Sequence, residues 1–221
     1  MISIANYQFY CSQLVSRMII LLLLTALSLS YALQTPERQL GHLLMGNRTS
    51  DVFIDAFFDN ICSDCAADWP MFSKVISQDY LKNRLGVAVH IFPLPYHHNS
   101  FFAAWAGETI MHTNTSKYTN YMTYIFQHYD DFITGAVGLT EPQVKQKYAI
   151  AAETSTGIKA QVILNGYRNI QFDTRARQAW KYACYRDVSG TPTFFVNDVA
   201  VPEASGFDME QWNSFLGKIL G

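Results

Sequence analysis

The sequence predicts an α/β fold in which an all-helical block separates a strand–helix–strand unit from a closing β-hairpin and helix. Three observations carry that prediction. Two short runs, Asp51 to Phe58 and Val87 to Phe92, have the near-continuous hydrophobicity of strands buried on both faces. The stretch between them places apolar residues at helical spacing. From Ser100 to about Tyr185 no strand-like alternation occurs, and a hairpin and a helix follow.

The elements follow in chain order. Residues 33 to 50 are polar and turn-rich around Leu43-Leu44-Met45, a short edge strand ended by Gly46-Asn47. The first buried strand is broken by Asp59-Asn60. Trp69, Phe72, Val75, Ile76, Tyr80 and Leu81 predict a helix from Cys65 to about Arg84, closed by Gly86. With the second strand this makes a βαβ unit, which favours a parallel pair and a right-handed crossover. Residues 93 to 99 form a loop with two prolines and two histidines. The helical block has breaks near Thr113-Asn114, Thr134-Gly135, Thr154 to Gly157, and Asn165-Gly166. Its stripe Tyr118, Tyr121, Tyr124, Ile125 reads as core. The strands Thr193 to Asn197 and Val199 to Val201 flank an Asn197-Asp198 turn. An amphipathic helix closes the chain from about Asp208 to Leu220.

The bulk numbers agree with one globular domain: 221 residues, 49% hydrophobic, 15% charged, formal net charge -2. They exclude disordered and fibrous classes. The charge balance supplies no basic field, so nucleic acid is not an expected partner. At the N-terminus, Arg17 precedes an apolar run from Met18 to Leu29 and then Ser30-Tyr31-Ala32. This reads as a signal peptide over 1–32, cleaved after Ala32. The run falls short of a membrane span of about 20 residues. The alternatives are an uncleaved anchor or a start at Met18. The remainder, 33–221, is then one domain with a helical insertion over about 99–186. No membrane association is expected beyond the N-terminal segment. Two N-glycosylation sequons, Asn47-Arg48-Thr49 and Asn114-Thr115-Ser116, fit a secretory route. Gly217 to Gly221 carry no ER-retention signal of the Lys-Asp-Glu-Leu kind, so secretion or the ER lumen is expected.

Removing the signal removes Cys11 and leaves Cys62, Cys65 and Cys184. An odd count does not close as a framework of paired disulfides. Cys62-Ser63-Asp64-Cys65 lies where a buried strand meets a helix start, and the free N–H groups there stabilise a thiolate. Cys62 should be the exposed nucleophile and Cys65 the resolving thiol behind it. Half of a zinc site is another reading, but two further ligands at matching spacing are lacking. A permanent structural disulfide is another, although a two-residue gap makes a strained staple. Cys184 reads as a buried structural thiol before it reads as a third redox thiol. No metal or organic cofactor is expected. The second signal is Gly190-Thr191-Pro192, which enters a buried strand and can hold a cis bond.

Together these features resemble the thioredoxin superfamily, and the helical block is similar to its DsbA-like branch. The stretch from Asp59 to Cys65 is similar to the branch's Asp-x-x-Cys-Pro-x-Cys. Phe92 to Ser100, with Ala103-Ala104, resembles its Pro-Leu-x-x-His segment. Val188 to Asn197 resembles its cis-proline strand. The patterns around His90 to His97 and Lys181 to Arg186 resemble a eukaryotic secretory subgroup. The resemblance implies a thioredoxin fold, a central mixed sheet flanked by helices with an all-helical insertion. It also implies a redox disulfide at Cys62 and Cys65, and a loop at Thr191-Pro192 that faces the disulfide and docks substrate backbone. The implied partners are protein or peptide thiols and disulfides, together with a recharging redox partner that the resemblance does not identify. A buried Asp beneath the site, here Asp55, would accept the proton of Cys65; the other reading is a sheet-edge or solvent-facing Asp. His97 and His98 fall in a loop near the rim, and His98 joins the expected active-site shell. His90 reads as a core histidine.

Two departures matter. Ser63 replaces the usual proline, and Asp64 stands where strong oxidants often carry His. Asp59, Asp64 and Asp68 near Cys62 should raise its pKa and shift the pair to a more reducing poise. The function expected is thiol–disulfide exchange on proteins in the secretory pathway. The alternatives are a non-catalytic binding module with vestigial cysteines, or a glutathione-linked transferase or isomerase on the same fold.

Overall fold

A computed structural model describes residues 15–20 and 41–221. Residues 15–20 are helical with exposed side chains. The expected cleavage site, Cys11 and residues 33–40 lie outside the described residues.

The strands and helices run β1 (His42–Met45), β2 (Val52–Phe58), α1 (Ser63–Ile76) and β3 (Leu85–Ile91). The inserted helices are α2 (Ser100–Asn114), α3 (Tyr118–Gln127), α4 (Tyr129–Ile133), α5 (Glu141–Thr156), α6 (Ala160–Gly166) and α7 (Ile170–Tyr185). Then come β4 (Thr193–Val196), β5 (Val199–Ala200) and α8 (Met209–Leu220). One sheet has the order β1-β3-β2-β4-β5. Only β2 and β3 pair in parallel; the other three pairings are antiparallel. This is the thioredoxin-type mixed sheet with flanking helices and a helical insertion.

Every residue of β2 and β3 is buried, as continuous hydrophobic strands require when both faces are covered. The faces separate by alternation. Phe58 meets Trp69 and Phe72 of α1 and Phe194 of β4, and Trp212 of α8 packs on Phe72 and Phe194. On the opposite face Phe57 stacks on His90 at 4.5 Å, and Tyr182 of α7 packs on both. Burial of these rings supplies about 25 cal/mol per Å² of apolar area removed from water. The insertion is tied to the frame by Trp69 Nε1, which donates to Thr123 Oγ1 at 2.8 Å. Tyr118, Tyr121 and Ile125 are fully buried within it, and Tyr124 lies partly buried beside them.

The β4–β5 turn has Asn197 at φ 47° and Asp198 at φ 67°, the left-handed pair that a two-residue hairpin demands. Asn197 also anchors the hairpin: its Oδ1 accepts from Phe53 N at 2.8 Å and its Nδ2 donates to the Asp51 carbonyl. Asp208 caps α8 through a reciprocal pair with Gln211. No described helix is long and apolar enough to cross a membrane.

The first helix is shorter than its apolar spacing predicts. It ends at Ile76, a single 3₁₀ turn covers Asp79–Leu81, and Gly86 is the second residue of β3 rather than a helix stop. The glycine serves close approach: a Cβ there would lie 2.5 Å from the Asn47 carbonyl oxygen and 2.5 Å from the Phe53 ring. Gly86→Ala is therefore expected to lower stability by about 1–3 kcal/mol. Urea denaturation reads this directly, and an unchanged midpoint would show that the β1–β3 edge moves aside at no cost.

Candidate active site

The sheet register builds the site. Phe57, near the end of β2, pairs with Thr193 at the start of β4. Whatever precedes Thr193 must then meet whatever follows β2. Thr191-Pro192, joined by a cis bond, therefore lies against Cys62-Ser63-Asp64-Cys65 at the start of α1.

Cys62 is the N-cap residue of α1, with φ −86° and ψ 133°, and no side chain makes a capping hydrogen bond there. The backbone N–H groups of Asp64 and Cys65 at this helix start favour the charged form of the Cys62 sulfur. In the thiol form Cys62 donates to the Thr191 carbonyl at 3.3 Å. Cys65 lies one turn further in and is completely buried; its Sγ accepts the Asp59 N–H at 3.5 Å. Both are free thiols in this structure. Cys62 is only 4% exposed, so the exposed nucleophile expected from sequence is instead a thiol sheltered by the Thr191-Pro192 loop.

The two sulfurs titrate in opposite directions. A hydrogen bond from Cys65 stabilises the Cys62 thiolate, and the Thr191 side chain and the helix-start N–H groups add to it. These outweigh burial and bring the Cys62 pKa down from 9.0 to about 6. Thr191 Oγ1 is buried and makes no other hydrogen bond, so its hydroxyl is available to a thiolate at Cys62. Burial drives Cys65 the other way, well above the ordinary thiol value, and the neighbouring Cys62 charge adds to this.

The expected rise of the Cys62 pKa is thus overturned: the hydrogen bonds to its sulfur outweigh burial, and none of the three carboxylates is among the main influences on it. Asp59 is fully buried and accepts from Ile61 N (3.0 Å), Leu94 N (2.8 Å), His97 Nδ1 (2.7 Å) and the Ser100 hydroxyl. Asp68 accepts from Gly206 N at 2.9 Å, and burial raises its pKa. Asp64 is exposed and meets the Ser63 hydroxyl at 3.4 Å. His97 is half-buried, and its hydrogen bond to Asp59 raises its pKa, with a further contribution from charge on Cys62. The His97 ring thus stands close enough to Cys62 to feel its charge.

Of the residues singled out from sequence, Cys62, Cys65, Ser63, Asp64, Thr191 and Pro192 come together here. Asp55 does not. It shares the Phe57 face of β2, opposite α1, and pairs with His90 Nε2 at 2.8 Å, where it cannot take the proton of Cys65. His90 is a core histidine with its pKa lowered by burial. His98 is exposed and lines a groove beside the site; its neighbour His97 is the one joined to Asp59. Cys184 is exposed rather than buried. Asn47 and Asn114 are exposed, away from the cysteines in sequence and in hydrogen bonding. Sequence reasoning missed the structural part played by Asp59, and it missed Ser100 and Tyr129. Tyr129 of α4 is half-buried beside Ser63; burial and the Cys62 charge raise its phenol pKa. The available signal for Asp59 was a carboxylate directly after an apolar strand and three residues before the first cysteine.

The reduced protein's reaction with iodoacetamide should therefore follow a pH midpoint of about 6 at Cys62. Thr191→Val, which removes the hydroxyl and little volume, should move that midpoint upward. The same shift links to stability. The folded thiol ionises above about 6 and the unfolded one near 9.0, so between them the unfolded state holds more protons. The thiolate's stabilising contribution should be complete above pH 9.0 and lost as pH falls through about 6. Melting of reduced wild type against Cys62→Ser over that window checks the sign.

Residues 38–218 match a family model described as thioredoxin. Among solved structures, oxidised BdbD from Bacillus subtilis superposes with a TM-score of 0.65 at 18% identity, covering 81% of this chain and 92% of that one. The α-DsbA1 of Wolbachia pipientis gives 0.64 at 16% identity, covering 86% and 95%. The DsbA of Chlamydia trachomatis gives 0.63 at 13%, covering 84% and 93%. Likeness at these identities shows a shared fold. No curated protein matches the sequence.

Proposed function

This chain belongs to the thioredoxin family, and from that premise we propose that it is a thiol–disulfide oxidoreductase of the secretory pathway acting on protein thiols. One observation carries the reading: Cys62 held at the start of α1 against Thr191-Pro192, with Cys65 buried directly behind it.

In the oxidising direction a substrate thiolate attacks Sγ of Cys62 in the Cys62–Cys65 disulfide. That S–S bond breaks, Cys65 takes the electron pair and a proton, and a mixed disulfide joins Cys62 to the substrate. A second substrate thiolate attacks the substrate sulfur and expels Cys62 as thiolate. The substrate loses two electrons and the protein gains them; the protons shed by the two substrate thiols on ionising go to the surroundings, from which Cys65 takes one while Cys62 leaves as thiolate. Cys62 is a good leaving group because its thiolate is stabilised. The Thr191 carbonyl beside it can accept a hydrogen bond from substrate backbone once Cys62 no longer donates to it.

The reducing poise expected from the three aspartates rested on a raised Cys62 pKa. With the shift reversed, the reduced form is stabilised and the disulfide becomes more oxidising. The midpoint is expected between about −270 mV, the value for thioredoxin, and about −120 mV, that of a strong periplasmic oxidant. Equilibration of the full chain in glutathione buffers should show one reversible two-electron transition in that interval, lost in Cys62→Ser and in Cys65→Ser. Inert thiols, or a bridge that stays locked, would instead identify a binding module.

The secretory assignment is supported by the N-terminal apolar segment and by both sequons. In each sequon the hydroxyl, of Thr49 or Ser116, donates to the asparagine Oδ1 at 2.7 Å on an exposed turn. Expression in secretory cells should give a mature N-terminus at Leu33 and two glycosidase-sensitive mobility steps, one lost in Asn47→Gln and one in Asn114→Gln. A retained, unmodified chain would remove this part of the proposal.

A further inference from the structure

Between the β3–α2 loop and α7 lies a groove of about 420 Å³. Its walls are of two kinds. Trp180, Phe101 and Pro95 supply apolar surface, and Trp180 is 38% exposed although Phe92 packs on its ring at 6.2 Å. His98, Arg177 and Lys181 supply cationic or protonatable groups, and no Asp or Glu is among the lining residues. The whole chain has a net charge of -2, so this cleft runs against the protein's own balance. Arg177 is held in place: its guanidinium lies 5.0 Å from the Phe101 ring and its Nε meets Asp173 at 2.8 Å, which still leaves its terminal nitrogens for a ligand.

The groove is joined to the reactive centre by shared residues. Leu94 and His97 both line it, and both donate to Asp59, whose own N–H reaches Cys65. The groove therefore shares Leu94 and His97 with the Asp59 network that backs the sulfurs.

We propose that this groove is a docking site for an acidic, aromatic-containing segment of a protein substrate, whose carboxylates face Lys181, Arg177 and His98 while an apolar side chain packs on Trp180. The inference deepens the thiol–disulfide exchange reading by naming the substrate class for the same site. Glutathione offers carboxylates but no apolar side chain for the Trp180–Phe101 wall, so charge and apolar surface together select a peptide. Recognition of this kind raises local substrate concentration and is weakened by salt.

The test is fluorescence anisotropy of the full chain with three labelled peptides of equal length, each containing Phe and carrying Ser in place of Cys. They differ only in having Asp and Glu, Ser, or Lys at the flanking positions. The acidic peptide is expected to bind about tenfold more tightly than the basic one at low salt, with the difference shrinking at high salt. Lys181→Glu, at an exposed position, should reverse or abolish that preference, and Trp180→Ala should weaken all three peptides. Equal affinities, a preference that survives Lys181→Glu, or displacement by millimolar glutathione as effective as that by unlabelled acidic peptide would each overturn the proposal. Because the peptides carry no thiol, the result is independent of redox chemistry. Absence of the glutathione-buffer transition would sink the exchange reading alone, and the groove would still stand or fall on anisotropy.

Discussion

A fully buried carboxylate needs hydrogen-bond donors on all sides, and the donors that Asp59 collects hold the active end of this molecule together. They come from the α1 approach (Ile61 N), the loop after β3 (Leu94 N and His97) and the first residue of α2 (Ser100). One side chain thus ties the thioredoxin frame to the inserted helices at the place where both meet the cysteines. Its own backbone N–H goes to Cys65. It adds to the β2–β3 pairing and the Phe92 N–Phe58 carbonyl bond, which already hold the start of that loop beside the end of β2.

That arrangement explains why aspartates close in sequence leave the Cys62 thiolate stable. Charge acts through space, and through-space position depends on which way each side chain is turned. Asp59 spends its negative charge on His97 and three other donors, so the group facing Cys62 from that side is an imidazole. Within one helical turn the same elements have opposite effects. At Cys62, the cap residue, the Cys65 thiol, a hydroxyl and the helix-start N–H groups outweigh burial, whereas at Cys65 burial outweighs the Asp59 N–H and the Thr191 hydroxyl. An easily ionised sulfur next to one that holds its proton is the asymmetry that directs attack to Cys62 and leaves Cys65 to resolve.

What could be read from sequence follows the range of the forces involved. β2, β3 and the hairpin were legible because continuous apolar runs and the Asn197-Asp198 turn are local signals. The end of α1 was not. Tyr80 and Leu81 continue a helical spacing that the chain abandons at Ile76, and Gly86 is set by the Phe53 ring and the Asn47 carbonyl, both distant in sequence. The cysteine pair and Thr191-Pro192 were legible as motifs, but their contact depends on the β2–β4 register. Neither reading of Asp55 held, for a periodic reason: a residue inside β2 faces one side of the sheet, and for Asp55 that is the buried Phe57 side, away from α1 and from solvent alike. His97 and His98 are adjacent and chemically identical, so only the loop's fold could separate the one that meets Asp59 from its exposed neighbour. Cys184 lies in an apolar stretch of α7 and still faces outward, because a helix has a solvent side whatever its average hydrophobicity.

The chemistry and the selection of substrate fall to different parts of the chain. Cys62 and Cys65 stand at the start of α1, after β2, and Thr191 and Pro192 directly precede β4; the positions of these elements are set by a sheet buried on both faces and tolerate little change. The groove is built from the loop after β3 and the outward side of α7, where Arg177, Trp180 and Lys181 are exposed and touch the core lightly. Substitutions there alter charge and shape at small cost in stability, because surface positions away from the core carry small effects. Reactivity at the sulfurs is thus fixed by packing, while the surface that meets the substrate remains adjustable. The residue common to both is His97, so a carboxylate brought into the groove enters the same electrostatic neighbourhood as the Cys62 thiolate.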